Sequence, residues 1–585
     1  MMTLAASLGT SQASANARAS EALVAQIVYH GVRVAILSPG SRNTPLALAL
    51  ADHPQVEIKV VLDERSAAFF ALGVARASGH PVVLTCTSGS ALANYYPAVV
   101  EAYHSEVPLI LLTADRPAEL QGRGAPQTMN QNGFYGQFVK ASLTVDAPVP
   151  TEPINPDTQT QLSATLQAAT KTPKGPVHVN CGFRKPLWDP QVQRQLVNHP
   201  AGQAKTVDDD ARTTELADAF LDLVGRFDRG VFICGPDAFG SGQDASDMYR
   251  LAEMLAWPVL AEASSGARFG HDHRSLVTNY DAAFRTPNAI PKADCIVRFG
   301  RACTSQWLAK WIKASEHAVW IVIHDGQTCI DPERKYDQYL DISPTLLLNE
   351  TATRCLSQMQ ANLTWLDQWL ELETTCKDVI EQTETDLFWE GSIAAACVRN
   401  QPNGSVIHVA NSMPIRDLDA FGGRSPSDLT VFVNRGLNGI DGTIATALGE
   451  KFGQPGAPLL LIIGDLAFRH DANSLALCHD VKITMVVNDN GGGQIFRFLP
   501  ISQHQAAFED LFLTPSPIDI NALCDGYGLR CTVVETNDAL KTALVSEQAK
   551  DDSGIILARI DADLNYSQHQ SVWQRIQIEL TGSKA

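Results

Sequence analysis

The sequence lacks three features that would each indicate a particular class of protein. None of its twelve cysteines forms a CxxC pair, and most stand singly in apolar runs such as VVLTC and VFIC. Such cysteines are typical of buried, reduced thiols, with a metal or redox role as the alternative. No apolar run approaches the ~20 residues that a membrane-spanning helix needs. The chain begins MMTLAASLGTSQASANAR, without an initial basic segment, so we expect no secretory signal and a cytoplasmic protein.

The chain also lacks an excess of positive charge. Its formal net charge is −19, which argues against a nucleic-acid-binding surface. The negative charge does not argue against a small anionic substrate, because a pocket can be locally basic on an acidic protein.

The pattern of apolar runs predicts several domains of one fold class. A length of 585 residues exceeds what a single hydrophobic core organises, and about three or four domains are expected. Short apolar runs alternate with helical patterns in three blocks, which we place at residues 1–197, 213–365 and 385–585, with a polar linker at Asn198–Arg212. This alternation predicts an α/β protein with three doubly wound parallel sheets. A long amphipathic helical pattern also covers Pro344–Trp389.

The strongest local signal is the segment IIGDLAFRHDANSLALCHDVKITMVVNDNGGG. Two predicted strands end at Asp465 and Asn490, which lie 490 − 465 = 25 positions apart. Because ligands bind at the carboxyl ends of strands in such sheets, these two side chains are expected at a ligand site. Carboxylate and amide oxygens suit a hard divalent cation such as Mg²⁺, and the glycines allow close backbone approach. The alternative is an aspartate at a helix start and an Asn-Gly turn, without a ligand.

Further motifs show that the chain resembles a known family. They are SPGSRNTPLALAL, LDERSAAFF, LTADRPAEL, GAPQTMNQ, ANSMPIRDLD, NRGLNGIDG and GGGQIFRFLP. With the segment above, they resemble the thiamine-diphosphate-dependent enzymes, in particular those of menaquinone biosynthesis. The resemblance covers nearly the whole chain and is weakest in the middle block. It implies pyrimidine-binding, middle and diphosphate-binding domains in that order, and thiamine diphosphate with Mg²⁺ or Mn²⁺ as cofactors.

The resemblance assigns residues to the cofactor site. Thiamine chemistry needs a carboxyl group that shares a proton with the aminopyrimidine ring, and the match to LDER implies Glu64 for this role. By itself, an acidic residue closing the predicted strand VVLDE is more typical of a solvated helix start. The implied cofactor contacts are Glu64, Ser88, Gly89, Ser412, Ile440, Asp465, Leu466, Asn490, Ile495 and Phe496. The isoleucines and Phe496 have ordinary core packing as their alternative.

The metal-binding turn departs from the usual family pattern. Relatives commonly read Asn-Asn-(Asn or Asp)-Gly-Gly, whereas this chain reads Asn-Asp-Asn-Gly-Gly-Gly from position 488. Alignment from the left makes Asp489 and Gly491 the metal ligands beside Asp465. Alignment from the right makes them Asn490 and Gly492, which we favour slightly.

Several arginines indicate a substrate with more than one carboxylate. Arginine binds carboxylates bidentately, although a single arginine is more often part of a surface ion pair. The candidates that follow predicted strands are Arg42, Arg116, Arg416 and Arg435. By resemblance, these arginines with Ser41, Gln127, Gln306 and Ser412 would bind 2-oxoglutarate and isochorismate.

The segment FGRACTSQWLAKW departs from the family in one charge. Relatives commonly have a lysine where this chain has Gln306, followed by Trp307. Three alternatives remain open. Arg301 or Lys310 replaces the charge, the Gln306 amide and Trp307 indole bind a carboxylate without charge, or the acceptor differs from isochorismate.

The implied reaction is decarboxylation of 2-oxoglutarate and conjugate addition of the succinyl unit to isochorismate, by a homodimer or homotetramer with active sites between subunits. One rival is a pyruvate-using thiamine enzyme, and another is a non-catalytic relative. The arginines argue against the first, because pyruvate has a single carboxylate. The glycine-rich motif CGPDAFGSG is similar to a dinucleotide-binding turn. Because it lacks the GxGxxG spacing, we expect a structural turn.

Overall fold

The structure is a computed structural model that describes residues 11–153, 155–193, 210–326, 331–332, 336–352, 361–384 and 387–582. Within these residues the chain forms two compact units. The first combines Met1–Thr206 with Asn434–Pro455 and Asp471–Val481, and the second combines Val207–Val433, Gly456–His470 and Lys482–Ala585. The proposed linker lies largely outside the described residues, because residues 194–209 are not among them.

The first unit contains a sheet of six parallel strands. The strands are β1 (Val34–Leu37), β2 (Glu57–Val60), β3 (Val82–Cys86), β4 (Leu109–Asp115), β5 (Ser142–Val145) and β6 (Val177–Gly182). They lie in the order β2-β1-β3-β4-β6-β5. The flanking helices are α1 (Gln12–Tyr29), α2 (Thr44–Asp52), α3 (Glu64–Ser78), α4 (Ser90–Asn94), α5 (Tyr96–His104) and α6 (Pro156–Thr170), with 3₁₀ turns at Ala118–Leu120 and Gly136–Phe138.

A second parallel sheet lies in the second unit. Its strands are β7 (Gly230–Cys234), β8 (Val259–Ala261), β9 (Leu276–Val277), β10 (Cys295–Phe299), β11 (Val319–Ile323) and β12 (Gln338–Leu340). Their order is β12-β11-β10-β7-β8-β9. The helices are α7 (Asp210–Val224), α8 (Ser246–Leu255), α9 (Tyr280–Phe284), α10 (Gln306–Ala314), α11 (Pro344–Ala352) and α12 (Leu363–Glu384), with a 3₁₀ turn at Pro287–Ala289. The helical pattern predicted over Pro344–Trp389 therefore contains at least two helices.

The order of this sheet reverses between β7 and β10, where doubly wound sheets commonly bind ligands. Here the loops that follow the two strands touch each other. A Cβ added to Gly235 after β7 would lie 1.9 Å from the carbonyl oxygen of Arg301 after β10. The glycine of the CGPDAFGSG motif therefore permits close packing of two loops, as expected for a structural turn.

The third sheet also belongs to the second unit. Its strands are β13 (Ser405–Val409), β14 (Leu429–Phe432), β15 (Leu459–Gly464), β16 (Thr484–Asp489), β17 (Arg530–Val534) and β18 (Gly554–Arg559), in the order β14-β13-β15-β16-β18-β17. Counted from its first strand, this order repeats that of the first sheet. The helices in this part of the chain are α13 (Glu390–Arg399), α14 (Met413–Phe421), α15 (Thr443–Gly453), α16 (Asp465–His470), α17 (Gln505–Phe508), α18 (Ile520–Gly526), α19 (Asn537–Gln548) and α20 (Ala562–Thr581). Of these, α15 belongs to the first unit. Short 3₁₀ and π segments lie at Ala472–His479, Gln494–Phe498, Pro500–Gln503 and Glu509–Leu513.

Two helices of the first unit, α3 and α15, pack with their backbones in close contact. A Cβ added to Gly73 would lie 2.0 Å from the carbonyl oxygen of Thr446, and one added to Gly449 would lie 2.0 Å from that of Phe70. Larger residues at either glycine would force the helices apart. This packing explains why Asn434–Pro455, although late in the sequence, groups with the first sheet.

The three sheets confirm the predicted α/β fold. Their central strands are buried along their whole length, as the continuous apolar runs predicted. Among the described cysteines, all ten are without disulfide bonds and eight are buried. No helix among the described residues combines the length and apolar character needed to cross a bilayer.

Candidate active site

The first unit brings five candidate residues together at the carboxyl ends of β1, β3 and β4. The guanidinium of Arg116 donates to the carbonyl oxygen of Gln127 at 2.7 Å and to the hydroxyl of Ser88. The amide of Gln127 donates to the carbonyl oxygen of Ser88 at 3.0 Å. A Cβ added to Gly89 would lie 2.9 Å from the Gln127 side chain. Arg42 is electrostatically coupled to this group, because burial and the charge of Arg116 both lower its pKa.

The candidate residues of this group differ in how much of each side chain is exposed. Arg42 is buried and donates to the carbonyl oxygen of Phe183 at 2.7 Å, whereas Ser41 is exposed. Asp115, the last residue of β4, accepts a hydrogen bond from Asn180 at 2.9 Å and acts to raise the pKa of Arg42. The result is a polar cluster with two guanidinium groups, which suits an anionic ligand.

Glu64 lies at a helix start rather than at a strand end. Strand β2 ends at Val60, and Glu64 is the first residue of α3. The prediction that Glu64 closes a strand was therefore wrong, because Asp63 caps the helix by accepting from the backbone N–H of Arg65 at 2.9 Å. The Glu64 side chain is half-buried, and no described residue hydrogen-bonds to its carboxylate. Its charge reaches Cys86 at the end of β3, where burial and, to a smaller extent, Glu64 raise the pKa of the thiol.

Arg435 and Ile440 lie in a segment anchored to α5. The backbone N–H groups of Gly436 and Leu437 each donate to the buried carboxylate of Glu101 at 2.8 Å. Arg435 is half-buried and lies three residues beyond the end of β14, and Ile440 is also half-buried. Glu101 therefore fixes the backbone that presents both candidates.

In the second unit, Asp465 and Asn490 follow neighbouring strands, as predicted. Strands β15 and β16 pair directly, with Gly464 opposite Asn488. Asp465 is buried as the first residue of α16, and its carboxylate accepts from the backbone N–H of Leu466 at 2.8 Å. Burial raises the pKa of Asp465, and Arg469 acts in the opposite direction.

Arg469, which was not among the residues predicted from the sequence, joins two candidate metal ligands. Its guanidinium lies 2.7 Å from Asp465 Oδ2 and 3.8 Å from Asp489 Oδ1. The sequence signal was the spacing of four residues between Asp465 and Arg469 on one helix. A cation bound by Asp465 would therefore share this carboxylate with Arg469.

The side chain of Asn490 fits a cation ligand. Asn490 is buried, and its amide nitrogen donates to Glu390 Oε1 at 2.7 Å. Its amide oxygen Oδ1 is buried and has no hydrogen-bond partner among the described residues. An amide oxygen without a hydrogen-bond partner suits a hard cation such as Mg²⁺, and Asn490 follows the strand that pairs with the one before Asp465.

The glycines of the turn pack against the chain itself. A Cβ added to Gly492, which has φ 125°, would lie 2.1 Å from the carbonyl oxygen of Leu513. The backbone N–H of Gly493 donates to the same oxygen at 2.7 Å, and the carbonyl oxygen of Gly492 accepts from Gln494 at 2.8 Å. Gly491 has open space around it. The backbone at Gly492 therefore lies so close to Leu513, in the segment before Thr514, that a side chain at position 492 would not fit.

The two alignments of this turn predict different mutants to be defective. We expect Asn490→Ala to weaken divalent-cation binding strongly, because it removes the buried Oδ1. Asp489→Ala should have a smaller effect, since the Asp489 side chain is partly exposed and lies near Arg469. Calorimetric titration of Mg²⁺ in the presence of thiamine diphosphate would measure both. A larger loss in Asp489→Ala than in Asn490→Ala would establish the other alignment.

A buried network behind Asn490 has no counterpart in the sequence analysis. The carboxylate of Glu390 accepts from Asn490 and from Asn565, each at 2.7 Å. His569 donates to the carbonyl oxygen of Asn565 at 2.8 Å and to Asp417 at 2.9 Å. Burial and the charge of Asp417 raise the pKa of Glu390 to about 7. Burial opposes the charge on His569, but the two carboxylates outweigh it and raise the histidine pKa.

Glu390, Asp417 and His569 present ligand atoms within 4.8 Å of one another, yet they form a hydrogen-bonded ion cluster. Both ring nitrogens of His569 are already engaged, Nδ1 with the carbonyl oxygen of Asn565 and Nε2 with Asp417, so a metal would have to displace these contacts. The sequence could not reveal this cluster, because its members are separated by up to 569 − 390 = 179 positions and follow no motif.

A cavity of about 410 Å³ in the second unit brings four other candidates together. Gln306, Trp307, Arg416 and Ile495 all contribute to its lining. Arg416 donates to the carbonyl oxygen of Ser412 at 2.5 Å. Phe496 instead packs edge-on to Phe512, with ring centroids 5.5 Å apart. The cavity therefore combines two guanidinium groups and an amide with apolar walls, as substrate sites do, and its lining also includes Asp281, Asp417 and Asp419.

The cationic side chains that could replace a lysine at position 306 each lie against another residue. Lys310 lies 3.9 Å from the ring centroid of Trp307, and Arg301 lies 3.8 Å from Asp237. Arg285, which the sequence analysis did not single out, lines the same cavity as Gln306. Its guanidinium lies 3.5 Å from the ring centroid of Trp573 and 3.0 Å from Asp281.

Two candidate residues have strained backbones. Ser412 has φ 74° and Gln127 has φ 58°, and residues other than glycine rarely adopt such positive φ angles. Such strain costs about 1–3 kcal/mol and clusters at functional sites. At Ser412 the conformation connects β13 to α14 and presents the carbonyl oxygen that Arg416 binds.

Three models of protein families match the chain in succession. The model described as "Thiamine pyrophosphate enzyme, N-terminal TPP binding domain" matches residues 17–134. "Middle domain of thiamine pyrophosphate" matches residues 203–409. "Thiamine pyrophosphate enzyme, C-terminal TPP binding domain" matches residues 423–557.

Curated proteins match the chain along almost its whole length. The 2-succinyl-5-enolpyruvyl-6-hydroxy-3-cyclohexene-1-carboxylate synthase of Bacillus cytotoxicus is 36% identical over 574 residues, which are 96% of each chain. The synthase of the same name from Geobacillus kaustophilus is 36% identical and covers 96% of this chain and 97% of its own. That of Listeria innocua is 34% identical, with 95% and 96% covered.

Proposed function

Because the chain belongs to the thiamine pyrophosphate enzymes and matches their 2-succinyl-5-enolpyruvyl-6-hydroxy-3-cyclohexene-1-carboxylate synthases over 96% of its length, we propose that it catalyses that synthase's reaction. It decarboxylates 2-oxoglutarate and transfers the succinyl unit by conjugate addition to isochorismate, in menaquinone biosynthesis. The protein is thus a transferase. The relatives reported above all carry the name of this synthase, so they do not favour the alternative of a pyruvate-using enzyme.

The observation that best supports this proposal is the placement of Asp465 and Asn490. They follow paired strands, and Asn490 presents a buried oxygen that has no hydrogen-bond partner in the described part of the chain. Asp465 and Asn490, with the carbonyl of Gly492, would hold Mg²⁺ or Mn²⁺ together with the diphosphate. When bound, thiamine diphosphate supplies the electron sink for loss of CO₂ from the 2-oxo acid.

Glu64 would hold the proton that the aminopyrimidine ring exchanges. Its carboxylate is half-buried and has no hydrogen-bond partner among the described residues, so it can accept one from a ligand. Ser88, Gly89, Ser412, Ile440, Leu466, Ile495 and Phe496 remain the further cofactor contacts that we propose. The hydroxyl of Thr443 donates to the carbonyl oxygen of Ile440 at 3.1 Å. This hydrogen bond restrains the backbone at Ile440.

The substrate carboxylates would bind to guanidinium groups in each unit. In the first unit, Arg42 and Arg116 lie beside Ser41 and Gln127 at the ends of three strands. In the second unit, Arg416 lines the cavity that also contains Gln306. Arg435 completes the proposed set. Bidentate pairing by arginine would discriminate dicarboxylic substrates from pyruvate.

We propose that Arg285 and Arg416 supply the positive charge that a lysine at position 306 would otherwise give. Both line the cavity, and the aromatic ring of Trp573 stacks on Arg285 and restricts its motion. Gln306 would then add a neutral hydrogen bond. This alternative differs from replacement by Arg301 or Lys310, whose charges lie near Asp237 and Trp307.

The remaining assignments follow from the family. We propose a homodimer or homotetramer with active sites between subunits, located in the cytoplasm. We also propose pyrimidine-binding, middle and diphosphate-binding domains at residues 1–197, 213–365 and 385–585. Size-exclusion chromatography with light scattering would determine the number of subunits.

A turnover assay tests the function and its cofactors together. We expect the protein, stripped by dialysis against a chelator, to lose activity with 2-oxoglutarate and isochorismate. Adding thiamine diphosphate and Mg²⁺ together should restore it, whereas either alone should not. Undiminished activity of the stripped protein would contradict the cofactor assignment. Faster turnover with pyruvate than with 2-oxoglutarate would contradict the substrate assignment.

A further inference from the structure

The carboxylate of Glu390 accepts hydrogen bonds from the side-chain amides of Asn490 and Asn565. The surrounding contacts fix the orientation of both amides. The backbone N–H of Glu390 donates to Asn565 Oδ1 at 3.0 Å. This bond fixes the orientation of the Asn565 amide, because only an oxygen can face an N–H donor. Asn565 Nδ2 must then face Glu390, and it lies 2.7 Å from Oε2.

The other carboxylate oxygen of Glu390 controls Asn490 in the same way. Oε1 lies 2.7 Å from the side-chain nitrogen of Asn490. With the nitrogen held there, Oδ1 of Asn490 must point to the opposite side, where it is buried without a partner among the described residues. Glu390 is almost fully buried at the start of α13, so water does not compete for these bonds.

We propose that Glu390 is the positioning residue of the cation site, which turns the oxygen of Asn490 towards the metal. This inference rests on the proposed role of Asn490 as a ligand. A rotated Asn490 amide would present its NH₂ group to the cation, and a cation cannot be bound by a hydrogen-bond donor. Residues that orient metal ligands typically contribute about 10–100-fold to metal affinity.

The variant Glu390→Gln tests the orientation with almost no change of shape. Since Asn565 still donates at the Oε2 side, the new amide must place its oxygen there and its NH₂ group against Asn490. Two NH₂ groups cannot hydrogen-bond, so the Asn490 amide should rotate and turn its nitrogen to the cation. We expect Mn²⁺ affinity in the presence of thiamine diphosphate to fall about 10–100-fold.

The variant Asn490→Asp, combined with Glu390→Gln, separates orientation from general damage. A carboxylate has an oxygen on either side, so it can accept from the glutamine amide and still present an oxygen to the metal. Glu390→Gln should therefore weaken Mn²⁺ binding when residue 490 is Asn but strengthen it when residue 490 is Asp. A loss of packing would weaken binding in both backgrounds.

Mn²⁺ titration followed by electron paramagnetic resonance would measure the affinities, and thermal unfolding would monitor stability. Glu373→Gln is a control at another buried glutamate of the second unit, since Glu373 accepts from Thr278, Asn279 and Arg424 rather than from Asn490. Its Mn²⁺ affinity should equal that of the unmodified protein. Unchanged affinity in Glu390→Gln, or a change of the same sign in both backgrounds, would overturn the inference. Failure of the unmodified protein to bind Mn²⁺ would instead refute the proposed metal site.

Discussion

Replacing Glu64 with glutamine should reduce turnover by about 10²–10⁴-fold, the usual contribution of a positioned proton-transfer group. Glutamine has nearly the same shape as glutamate, but its amide cannot share a proton with the aminopyrimidine ring. The helix should persist, because Asp63 rather than Glu64 caps α3. Steady-state kinetics with 2-oxoglutarate and isochorismate would measure the loss, and calorimetry should show thiamine diphosphate binding largely retained.

A neighbouring variant distinguishes catalysis from helix stability. Asp63→Ala removes the cap and should destabilise the protein by about 0.5–2 kcal/mol. Its effect should appear mainly in thermal unfolding, whereas that of Glu64→Gln should appear mainly in turnover. If Glu64→Gln kept turnover within about threefold of the unmodified enzyme, Glu64 would have only a structural role at the start of the helix.

Truncation of Arg416 or Arg435 to alanine should impair use of the carboxylate substrates by about 30- to 5,000-fold. This range corresponds to the roughly 2–5 kcal/mol lost when one partner of a desolvated charge pair is removed. Arg416 lines the cavity with Gln306, and Arg435 follows β14 in the segment that Glu101 anchors. The specificity constants for 2-oxoglutarate and isochorismate, measured with each substrate varied in turn, would show which substrate each arginine contacts.

Cofactor binding provides the internal comparison for these two variants. Thiamine diphosphate and Mg²⁺ affinities should change little, since both variants leave the proposed cation ligands Asp465 and Asn490 in place. Arg229→Ala is a suitable surface control, because the Arg229–Asp294 ion pair is largely exposed and such pairs contribute little. Normal specificity constants in both Arg416→Ala and Arg435→Ala would place the carboxylate pocket elsewhere.

The sequence alone determined the fold class and the positions of the main candidate residues. Buried parallel strands are encoded locally, by short apolar runs that glycine, serine or aspartate ends or closely follows, as at β3 and β15. The motifs at Asp465 and Asn490 could be read for the same reason, since each follows the end of one strand. The pairing of β15 with β16 then needed only the usual order of such sheets.

The tertiary structure alone decided how these residues are held. The approach of Arg469 to Asp489, the contact of Arg285 with Trp573 and the hydrogen bonds of Glu390 all depend on packing geometry. Glu390 and Asn490 lie 100 positions apart, and no periodicity of helix or strand relates them. Local patterns specify each element and its turn, but the orientation of a buried amide is set by whichever donors and acceptors the folded chain brings against it.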